Sequence, residues 1–368
     1  MRILLLGEYS NVHATLADGL RQLGHVVTVA SDGDNWKNYR RDVDLKRVDN
    51  GPASTLRFLF RLRRAFRSFR GYDVVQIINP VFIALKAERI WPYYRYLRRH
   101  NKTVFLGAFG MDYYYAKVAL DCKTFRYSDF NLGKEVRHCE QNDIWIHDWL
   151  KGEKGRLNRY IAADCDGIIA GLYEYFVPYN MEFKDKLTFI PFPIHCDTKT
   201  NTLQRSQHKK VRFFIGIQRA RTAYKGTDIM LKALERVVND FPDDCEMIKV
   251  ESVPFVEYQK LLDGSDVILD QLYSYTPAMN ALEAMSKGLI VVGGGEPENY
   301  EILNETQLRP LINVEPSEES VYEALCNLVR NRHVIPQLSA DSIAYIKKHH
   351  DSKLVAQRYV DFWQSRSE

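Results

Sequence analysis

The sequence lacks the features that mark several large classes of protein. No apolar run approaches the ~18 residues that a transmembrane helix requires. The six cysteines are scattered without a Cys-x-x-Cys pair, which disfavours a disulfide framework and predicts reduced thiols in a cytoplasmic protein. The sequence contains no zinc-finger or EF-hand pattern, no Gly-x-Gly-x-x-Gly loop and no internal repeat, so a dinucleotide dehydrogenase, a bound metal and a repeat architecture are poorly supported.

What the chain does contain is enough apolar sequence for two cores. Its 368 residues are 45% hydrophobic and exceed the ~250–300 residues at which one core usually divides. Short apolar runs alternate with helical stretches, a pattern typical of parallel βαβ units. The polar stretch 196–210 separates two sets of runs and is predicted to be a linker. The sets are ILLLG, VVTVAS, DVVQII, TVFLGA and GIIAG, then RFFIGI, CEMIKV, DVILD, LIVVGG and PLINV.

Arg219 and Lys225 follow the strand-like run KVRFFIGI. The pattern predicts that Arg219 ends the strand and that, after a short loop, Lys225-Gly226 opens a helix. In an open α/β sheet, phosphate groups bind where a strand leads into a helix. Arg offers a fork of donors and Lys a point charge, so the pair suits a diphosphate leaving group. The alternative is that both are solvated surface cations.

Residues 276–288, TPAMNALEAMSKG, have the pattern of a capped helix. Thr276 is a favourable N-cap, Pro277 suits the first helical position and Gly288 is a typical stop. Free N–H groups at the start of a helix attract an anion. Glu283, two turns in, is predicted to accept hydrogen bonds from ribose hydroxyls; the alternative is a surface charge. The N–H groups concerned are those of Ala278, Met279 and Asn280.

Together these segments resemble the nucleotide-sugar half of the retaining glycosyltransferases of family 4 (glycosyl transferases group 1), which have the GT-B fold. That family has a Gly, an Arg and a Lys-Gly after the first strand of its second domain, then a Glu-x7-Glu motif, Ala-Met, Gly, a strand and Gly-Gly. The matching residues here are Gly216, Arg219, Lys225-Gly226, Glu283-Ala284-Met285, Gly288, Leu289–Val292 and Gly293–Gly295. Similar matches in MRILLLG, LRQLGHVVTVAS, YDVVQIINP, AADCDGIIAGLYEY and KLTFIPFPIHCD extend the resemblance over nearly the whole chain.

The chain departs from the family pattern at three places. Tyr275 stands where the family has the first Glu of its pair, which contacts the donor sugar, so the sugar identity is in doubt. Asp270 and Gln271, at the end of the run DVILD, are polar groups suited to take over those contacts. The family's first-loop Gly-Gly is replaced by residues 7–13, and its His after the fourth strand has no clear match, with Asp112 in roughly that loop.

The resemblance implies an α/β architecture of two Rossmann-like doubly wound domains that face each other across a cleft. The acceptor-binding domain is expected at 1–195 and the nucleotide-sugar-binding domain at 196–348. A C-terminal helix at 349–368 is expected to pack back on the first domain. The implied function is transfer of a sugar from a nucleoside-diphosphate sugar to a glycan or lipid-linked acceptor, with retention, in polysaccharide or glycolipid assembly. The resemblance implies no metal and no cofactor.

The candidate site residues fall into three groups. The candidates for catalysis are Arg219, Lys225, Asp112 and His13. The candidates for donor binding are Gly216, Arg219, Lys225, Asp270, Gln271, Tyr275, Ala278, Met279, Asn280 and Glu283. The candidates for acceptor binding are Glu8, Tyr9, Ser10, Asn11 and His13. Asp164-Cys165-Asp166 is a DxD string, but it precedes the run GIIAG and is interpreted as structural.

Residues 55–70, TLRFLFRLRRAFRSFR, form the strongest charge signal, with no acid between Asp49 and Asp73. On a helix the apolar residues form one stripe with arginines on both sides. A basic amphipathic helix of this kind suits an anionic membrane surface, which predicts peripheral attachment at the inner face of the membrane. The alternative is a packed helix with a solvated basic face; no base-reading module supports nucleic-acid binding. The candidate membrane residues are Arg57, Phe58, Arg61, Arg64 and Arg67.

Two rival functions stay open. One is different chemistry on the same fold, either an inverting transferase with His13 as base or a sugar-nucleotide epimerase. The other is a catalytically inactive nucleotide-sugar-binding protein, in which Tyr275 marks a lost donor site. Fold alone does not decide between them.

Overall fold

The computed structural model of the protein describes residues 1–49, 51–196, 209–251, 253 and 255–367. The chain divides into two compact units. Unit 1 comprises Met1–Val118, Ile144–Pro193 and Ser352–Glu368, and unit 2 comprises Ala119–Asp143 and Ile194–Asp351. The predicted domains, 1–195, 196–348 and 349–368, differ from these units mainly at 119–143, whose packing partners lie far away in sequence. Residues 197–208 of the predicted linker lie outside the described residues.

The strands and helices alternate along most of the chain. Within the described residues the strands are β1 (Arg2–Leu6), β2 (Val26–Ser31), β3 (Val43–Asp44), β4 (Val74–Ile77), β5 (Thr103–Ala108), β6 (Asn131–Leu132), β7 (Glu135–Val136), β8 (Gly167–Ala170), β9 (Leu187–Phe189), β10 (Val211–Ile217), β11 (Cys245–Glu251), β12 (Val267–Leu269) and β13 (Ile290–Val292). The α-helices are α1 (Val12–Gln22), α2 (Pro52–Ser68), α3 (Trp91–His100), α4 (Tyr113–Ala119), α5 (Glu140–Trp145), α6 (Glu153–Asp164), α7 (Tyr173–Phe183), α8 (Thr222–Lys225), α9 (Thr227–Asp240), α10 (Phe255–Asp263), α11 (Met279–Ser286), α12 (Pro297–Ile302), α13 (Glu318–Arg330), α14 (Ile335–His349) and α15 (Ser352–Ser365).

Each unit contains a parallel sheet that grows outward in both directions from its first strand. The order in unit 1 is β3-β2-β1-β4-β5-β8-β9, and the order in unit 2 is β11-β10-β12-β13. The buried runs that were predicted as strands form them, except PLINV. In the described part of that run, Ile312 makes only an isolated bridge to Val292. Reversal of strand order beside β1 and β10 creates the crevice in which doubly wound sheets bind ligands.

The last helix, α15, packs against α1 within unit 1. Gly19 of α1 allows this approach, because a Cβ there would lie 2.2 Å from the carbonyl oxygen of Ser352. Tyr359 and Trp363 of α15 are fully buried, and the Trp363 indole donates to the side chain of Gln76 in β4 over 3.4 Å. The C-terminal segment therefore completes the core of the unit that begins the chain.

Helix α2 corrects one sequence expectation. Its apolar stripe, Phe58, Leu62 and Phe66, is at most 4% exposed, and the Phe66 ring lies 4.5 Å from that of Tyr93 in α3. The prediction that Phe58 contacts a membrane is therefore wrong, because the stripe is already used by the core of unit 1. The arginines of the helix remain exposed at positions 57, 61, 63, 64 and 67.

Candidate functional site

The predicted donor residues lie at or beyond the carboxyl ends of β10 and β12. The loop after β10 contains Lys225, the last residue of α8, and Gly226, the N-cap of α9. Gly226 has a φ of 72°, and a Cβ there would lie 2.7 Å from Leu272 in the loop after β12. The N–H of Leu272 donates to the carbonyl of Lys225 over 3.0 Å, so these two loops are fixed against each other.

Lys225 has the environment of an anion-binding residue. It is half-buried and makes no ion pair with any residue that the structure describes. Gly226 has no side chain to cap α9, and Thr227 is only 2% exposed. The Thr227 hydroxyl is buried without a hydrogen-bond partner among the described residues. A lysine, a buried hydroxyl and uncapped N–H groups at the start of a helix together favour an anion.

Arg219 follows the strand by two residues instead of ending it as the sequence predicted. Strand β10 ends at Ile217, and Arg219 begins a 3-10 turn with its side chain 85% exposed. Its guanidinium pairs with Glu251 at the end of β11. Gly216, within β10, faces Tyr258 of α10, whose ring a Cβ would approach to 3.3 Å.

Side chains from α10 and α11 form a polar chain beside β12. Tyr258 donates to the Asn280 carbonyl oxygen over 3.0 Å, and the Asn280 amide donates to Asp270 over 2.9 Å. Glu283, 38% exposed, accepts from Gln259 over 3.3 Å. Sequence reasoning missed Tyr258 and Gln259, since α10 carries no phosphate-binding motif.

Helix α11 begins two residues later than predicted. Ala278, not Thr276, is the N-cap, and Met279 is the first helical residue. The reason is tertiary packing against the glycine loop after β13, because a Cβ at Gly294 would lie 3.2 Å from the Thr276 carbonyl. Gly288 does follow the helix with a φ of 80°, as a stop residue should.

Tyr275, the residue in place of the family Glu, packs against the segment 119–143. It is 2% exposed, and its hydroxyl accepts from the backbone N–H of Arg126 over 2.7 Å. The Arg126 guanidinium lies 4.9 Å from the Tyr275 ring centroid and pairs with Glu296 over 2.7 Å. Tyr127 donates to the same Glu296 carboxylate. Tyr275 therefore anchors a segment that no local pattern assigned to this site. Burial raises the pKa of Tyr275 to about 12.

The predicted acceptor loop after β1 has different properties. Glu8 is 2% exposed, and its carboxyl accepts from the N–H groups of His13 and Ala14 over 3.2 and 2.9 Å. The carboxyl therefore caps α1, and desolvation raises its pKa to about 8. His13 is fully buried in the first turn, with Nδ1 2.8 Å from the Gly7 carbonyl. Its Nε2 has no partner among the described residues, and burial lowers its pKa to about 3.

The residues between Glu8 and His13 shape the turn that leads from β1 into α1. Ser10 and Asn11 have φ values of 49° and 72°, and Asn11 is the N-cap of α1. Asp34 accepts from the Ser10 N–H over 2.9 Å, while Lys37 donates to the Ser10 hydroxyl over 3.1 Å. Burial raises the pKa of the half-buried Tyr9.

Asp112 is a buried helix cap in unit 1. Its Oδ1 accepts from the Tyr115 N–H and its Oδ2 from the Tyr179 hydroxyl, each over 2.9 Å. Desolvation raises its pKa to about 7. Asp164 and Asp166 of the DxD string both pair with Arg98. Among the residues that the structure describes, no group of three or more acidic, Cys or His side chains is arranged to hold a metal, and no helix is long and apolar enough to cross a membrane.

No protein-family profile and no curated protein sequence matches the chain. Solved structures do match. Sucrose-phosphate synthase from Thermosynechococcus elongatus superposes with a TM-score of 0.62 at 11% identity, over 99% of this chain and 98% of that one. Anabaena HepE in complex with UDP and glucose gives 0.59 at 11% identity, over 99% and 100%. The chain has the GT-B fold.

A structure described as a putative UDP-N-acetylglucosamine 2-epimerase from Listeria monocytogenes also matches, with a TM-score of 0.54 at 11% identity, over 98% of this chain and 94% of that one. Transferases and an epimerase thus share this GT-B fold. The predicted architecture of two Rossmann-like doubly wound domains is confirmed, while the choice of chemistry depends on the site.

Proposed function

We propose that the protein is a glycosyltransferase that moves a sugar from a nucleoside-diphosphate sugar to an acceptor hydroxyl. The observation that carries the proposal is Lys225, half-buried and without an ion pair among the described residues, beside the uncapped N-terminus of α9 and the unpartnered Thr227 hydroxyl. This group lies at the carboxyl edge of a parallel sheet, where a GT-B protein has room for a diphosphate.

In the proposed reaction the acceptor oxygen bonds to the anomeric carbon as the bond from that carbon to the diphosphate breaks. Negative charge grows on the departing diphosphate, and Lys225 with the α9 N–H groups would stabilise it. The acceptor would attack from the face that the diphosphate leaves and pass its proton to a phosphate oxygen, so the configuration would be retained. Lys225 and the helix terminus already supply positive charge, so we expect transfer to continue in EDTA.

We propose UDP as the first nucleotide to test, because HepE is described in complex with UDP. Glu283 would accept hydrogen bonds from the ribose, and Asp270 with Asn280 would contact the sugar. Titration calorimetry with UDP, GDP and ADP should show one clear preference. If none of the three binds, the donor site is wrong and an inactive relative of the fold becomes the better description.

The acceptor would bind at the loop after β1, where His13 Nε2 is a buried acceptor without a partner among the described residues. Because the pKa of His13 is lowered to about 3, the imidazole is neutral at physiological pH and is suited to orient an acceptor hydroxyl. We propose a glycan or lipid-linked sugar as acceptor. His13→Gln should raise the acceptor KM more than it changes UDP affinity.

The stereochemical course separates the rival chemistries. Proton NMR of the first product formed from an α-linked UDP-sugar should show an α-linkage. A β-linked product would indicate an inverting transferase. Conversion of UDP-N-acetylglucosamine into its 2-epimer without acceptor would indicate the epimerase, which the Listeria match makes the specific alternative.

We further propose that the exposed face of α2 attaches the enzyme to anionic lipid by charge alone. Phe60, 73% exposed, and Leu56, 70% exposed, lie beside the arginines of that face. Each Arg near an anionic bilayer contributes ~1 kcal/mol, and salt screens the attraction. The enzyme should then act peripherally at the cytoplasmic face of a membrane.

Flotation with phosphatidylglycerol vesicles tests this attachment. Wild type should bind at low salt, and replacing Arg61, Arg64 and Arg67 with Gln should release it while UDP affinity stays the same. A matched variant replaces three exposed arginines of unit 2, Arg309, Arg330 and Arg332, and should still bind. Wild type that ignores these vesicles would favour a soluble acceptor.

A further inference from the structure

The segment 119–143 contacts all three loops at the carboxyl edge of the unit 2 sheet. Its contacts with Tyr275 and Glu296 reach the loops after β12 and β13. A third set of contacts reaches the loop after β10. There the Tyr224 hydroxyl donates to Asp129 over 2.8 Å, and Arg137 donates to the carbonyl of Ala223 over 2.7 Å. Ala223 is two residues before Lys225. The segment therefore places a second cation, Arg137, against the loop after β10 that carries Lys225, here called the lysine loop.

Arg137 is held firmly, but its charge is not neutralised. Its guanidinium lies 3.3 Å from the ring centroid of Tyr273 and donates to the carbonyls of Ser128 and Asp129 over 3.2 and 2.7 Å. It has no carboxylate within ion-pair distance in the described part of the chain. A guanidinium has five N–H donors, so bonds to three carbonyls leave donor capacity for a ligand.

The charge balance of the lysine loop calls for such a group. Asp228 stands in the first turn of α9. At Tyr273, burial raises the pKa of the phenol, Arg137 lowers it and Asp228 raises it, so both charges act at the same place. Arg219 is exposed and paired with Glu251, so it brings no unpaired cation to this loop. A diphosphate carries two or more negative charges and needs a second unpaired cation here.

We propose that Arg137 is that cation and binds the diphosphate of the donor together with Lys225. The role is carried by an inserted segment rather than by the strand-end arginine at 219. The planar fork of Arg suits phosphate oxygens, and the three carbonyls and the Tyr273 ring hold it in one orientation before the ligand arrives. This inference rests on the proposed function, because it assumes a nucleoside-diphosphate donor.

The test compares UDP with uridine in calorimetry and in ligand-observed NMR. Arg137→Gln should lower UDP affinity by about 10-fold or more, the loss of one charge-assisted hydrogen bond, and leave uridine affinity unchanged. Arg137→Lys keeps the charge and should recover part of the UDP affinity. The control Arg236→Gln removes an arginine of α9 that already pairs with Glu318 and should change neither affinity.

Three outcomes contradict the inference. Equal losses for UDP and uridine in Arg137→Gln would show that Arg137 only supports the loop. Unchanged UDP affinity in Arg137→Gln would remove it from the site. A loss of UDP affinity in Arg219→Gln but not in Arg137→Gln would return the role to Arg219. Wild type that binds neither UDP nor any other nucleoside diphosphate would instead overturn the proposed function, and this inference with it.

Discussion

The loops after β1 and β10 occupy equivalent places in two doubly wound sheets. They differ in whether a side chain caps the helix that follows. In unit 1 the Glu8 carboxyl accepts from the first-turn N–H groups of α1. In unit 2 Gly226 leaves α9 without a side-chain cap, and Lys225 stands beside it. Unit 1 therefore satisfies the start of its helix with its own acid, whereas the start of α9 in unit 2 has no such side-chain cap.

Under the proposed function, this difference would direct ligands of different charge to the two units. The Glu8 carboxyl already accepts from the first-turn N–H groups of α1, so under the proposed function this loop would suit a neutral hydroxyl partner. A free lysine at α9 attracts a diphosphate and would gain nothing from a neutral sugar alone. The proposed function would thus let the same topology serve a charged and an uncharged ligand through a difference in the loop after each first strand.

The largest expected effect comes from removing Lys225, the cation that the loop after β10 has and the loop after β1 lacks. Lys225→Ala should lower the rate of sugar transfer by about 10²-fold or more, because the charge that develops on the leaving diphosphate loses its stabilisation. Initial rates with saturating donor measure this. Lys232→Ala removes an exposed lysine of the following helix, α9, and should leave the rate unchanged. Equal rates in wild type and Lys225→Ala would show that Lys225 does not stabilise the leaving diphosphate.

A smaller effect is expected at the ribose end of the donor site. Glu283→Gln should weaken UDP binding by about 10-fold, since a hydrogen bond to a charged acceptor contributes ~1.5–3 kcal/mol. The variant should also lose the preference of wild type for UDP over 2′-deoxy-UDP. Glu301→Gln, at an exposed position of α12, is the control. A full preference for the ribose in Glu283→Gln would mean that Glu283 is a surface charge.

Sequence alone predicted most of the strands and the place of Lys225 after β10, for physical reasons that are local. Buried strands appear as short apolar runs, and the spacing from KVRFFIGI to Lys225-Gly226 is short. The periodicity of α2 was equally clear, but a packed stripe and a membrane-facing stripe have the same spacing, so the burial of Phe58 was not predictable.

The features that sequence missed depend on residues far apart in the chain. Glu251, the partner of Arg219, lies on the neighbouring strand, 32 residues away. Tyr127 and Glu296 are separated by 169 residues. The late start of α11 has the same origin, since the glycine loop at 294 holds Thr276 out of the helix. The raised pKa of Glu8 is due to desolvation, which no residue pattern reveals.

The buried acid of unit 1 predicts a pH effect on stability. Burial raises the pKa of Glu8 to about 8 in the fold, from the 4.5 of a free glutamate. Between these values the folded state keeps a proton that the unfolded chain releases, so this group makes stability fall as pH rises. The slope is at most about 1.4 kcal/mol per pH unit. Glu8→Gln should remove this fall between pH 5 and pH 8.

His13 provides an internal contrast for that measurement. Its pKa is lowered to about 3 from 6.5, so its contribution makes stability rise with pH between those values. Urea unfolding of wild type and Glu8→Gln at several pH values isolates the Glu8 part as the difference. Above pH 6.5 the His13 contribution is constant, and the difference should be clearest there. Parallel curves for the two proteins would show that Glu8 is ionised in the fold.

The smallest expected effect concerns Tyr275. This residue holds the segment 119–143 against the carboxyl edge of the unit 2 sheet, where the donor is proposed to bind. Tyr275→Phe removes the acceptor of the Arg126 N–H and should lower the free energy of unfolding by about 1 kcal/mol. Tyr160→Phe, at a partly exposed tyrosine, is the control and should cost less.

The same position also tests the departure from the family pattern. If Tyr275 serves only to anchor the segment 119–143, Tyr275→Phe should keep UDP affinity within about 2-fold, because the ring still packs between Phe125 and Tyr127. Tyr275→Glu should instead expel the segment, since a carboxylate there would lie near Glu296, and like charges repel. It should therefore weaken UDP binding through loss of Arg137. A Tyr275→Glu variant that binds UDP more tightly than wild type would show that the family Glu had simply been lost, and that the segment contributes nothing to the donor site.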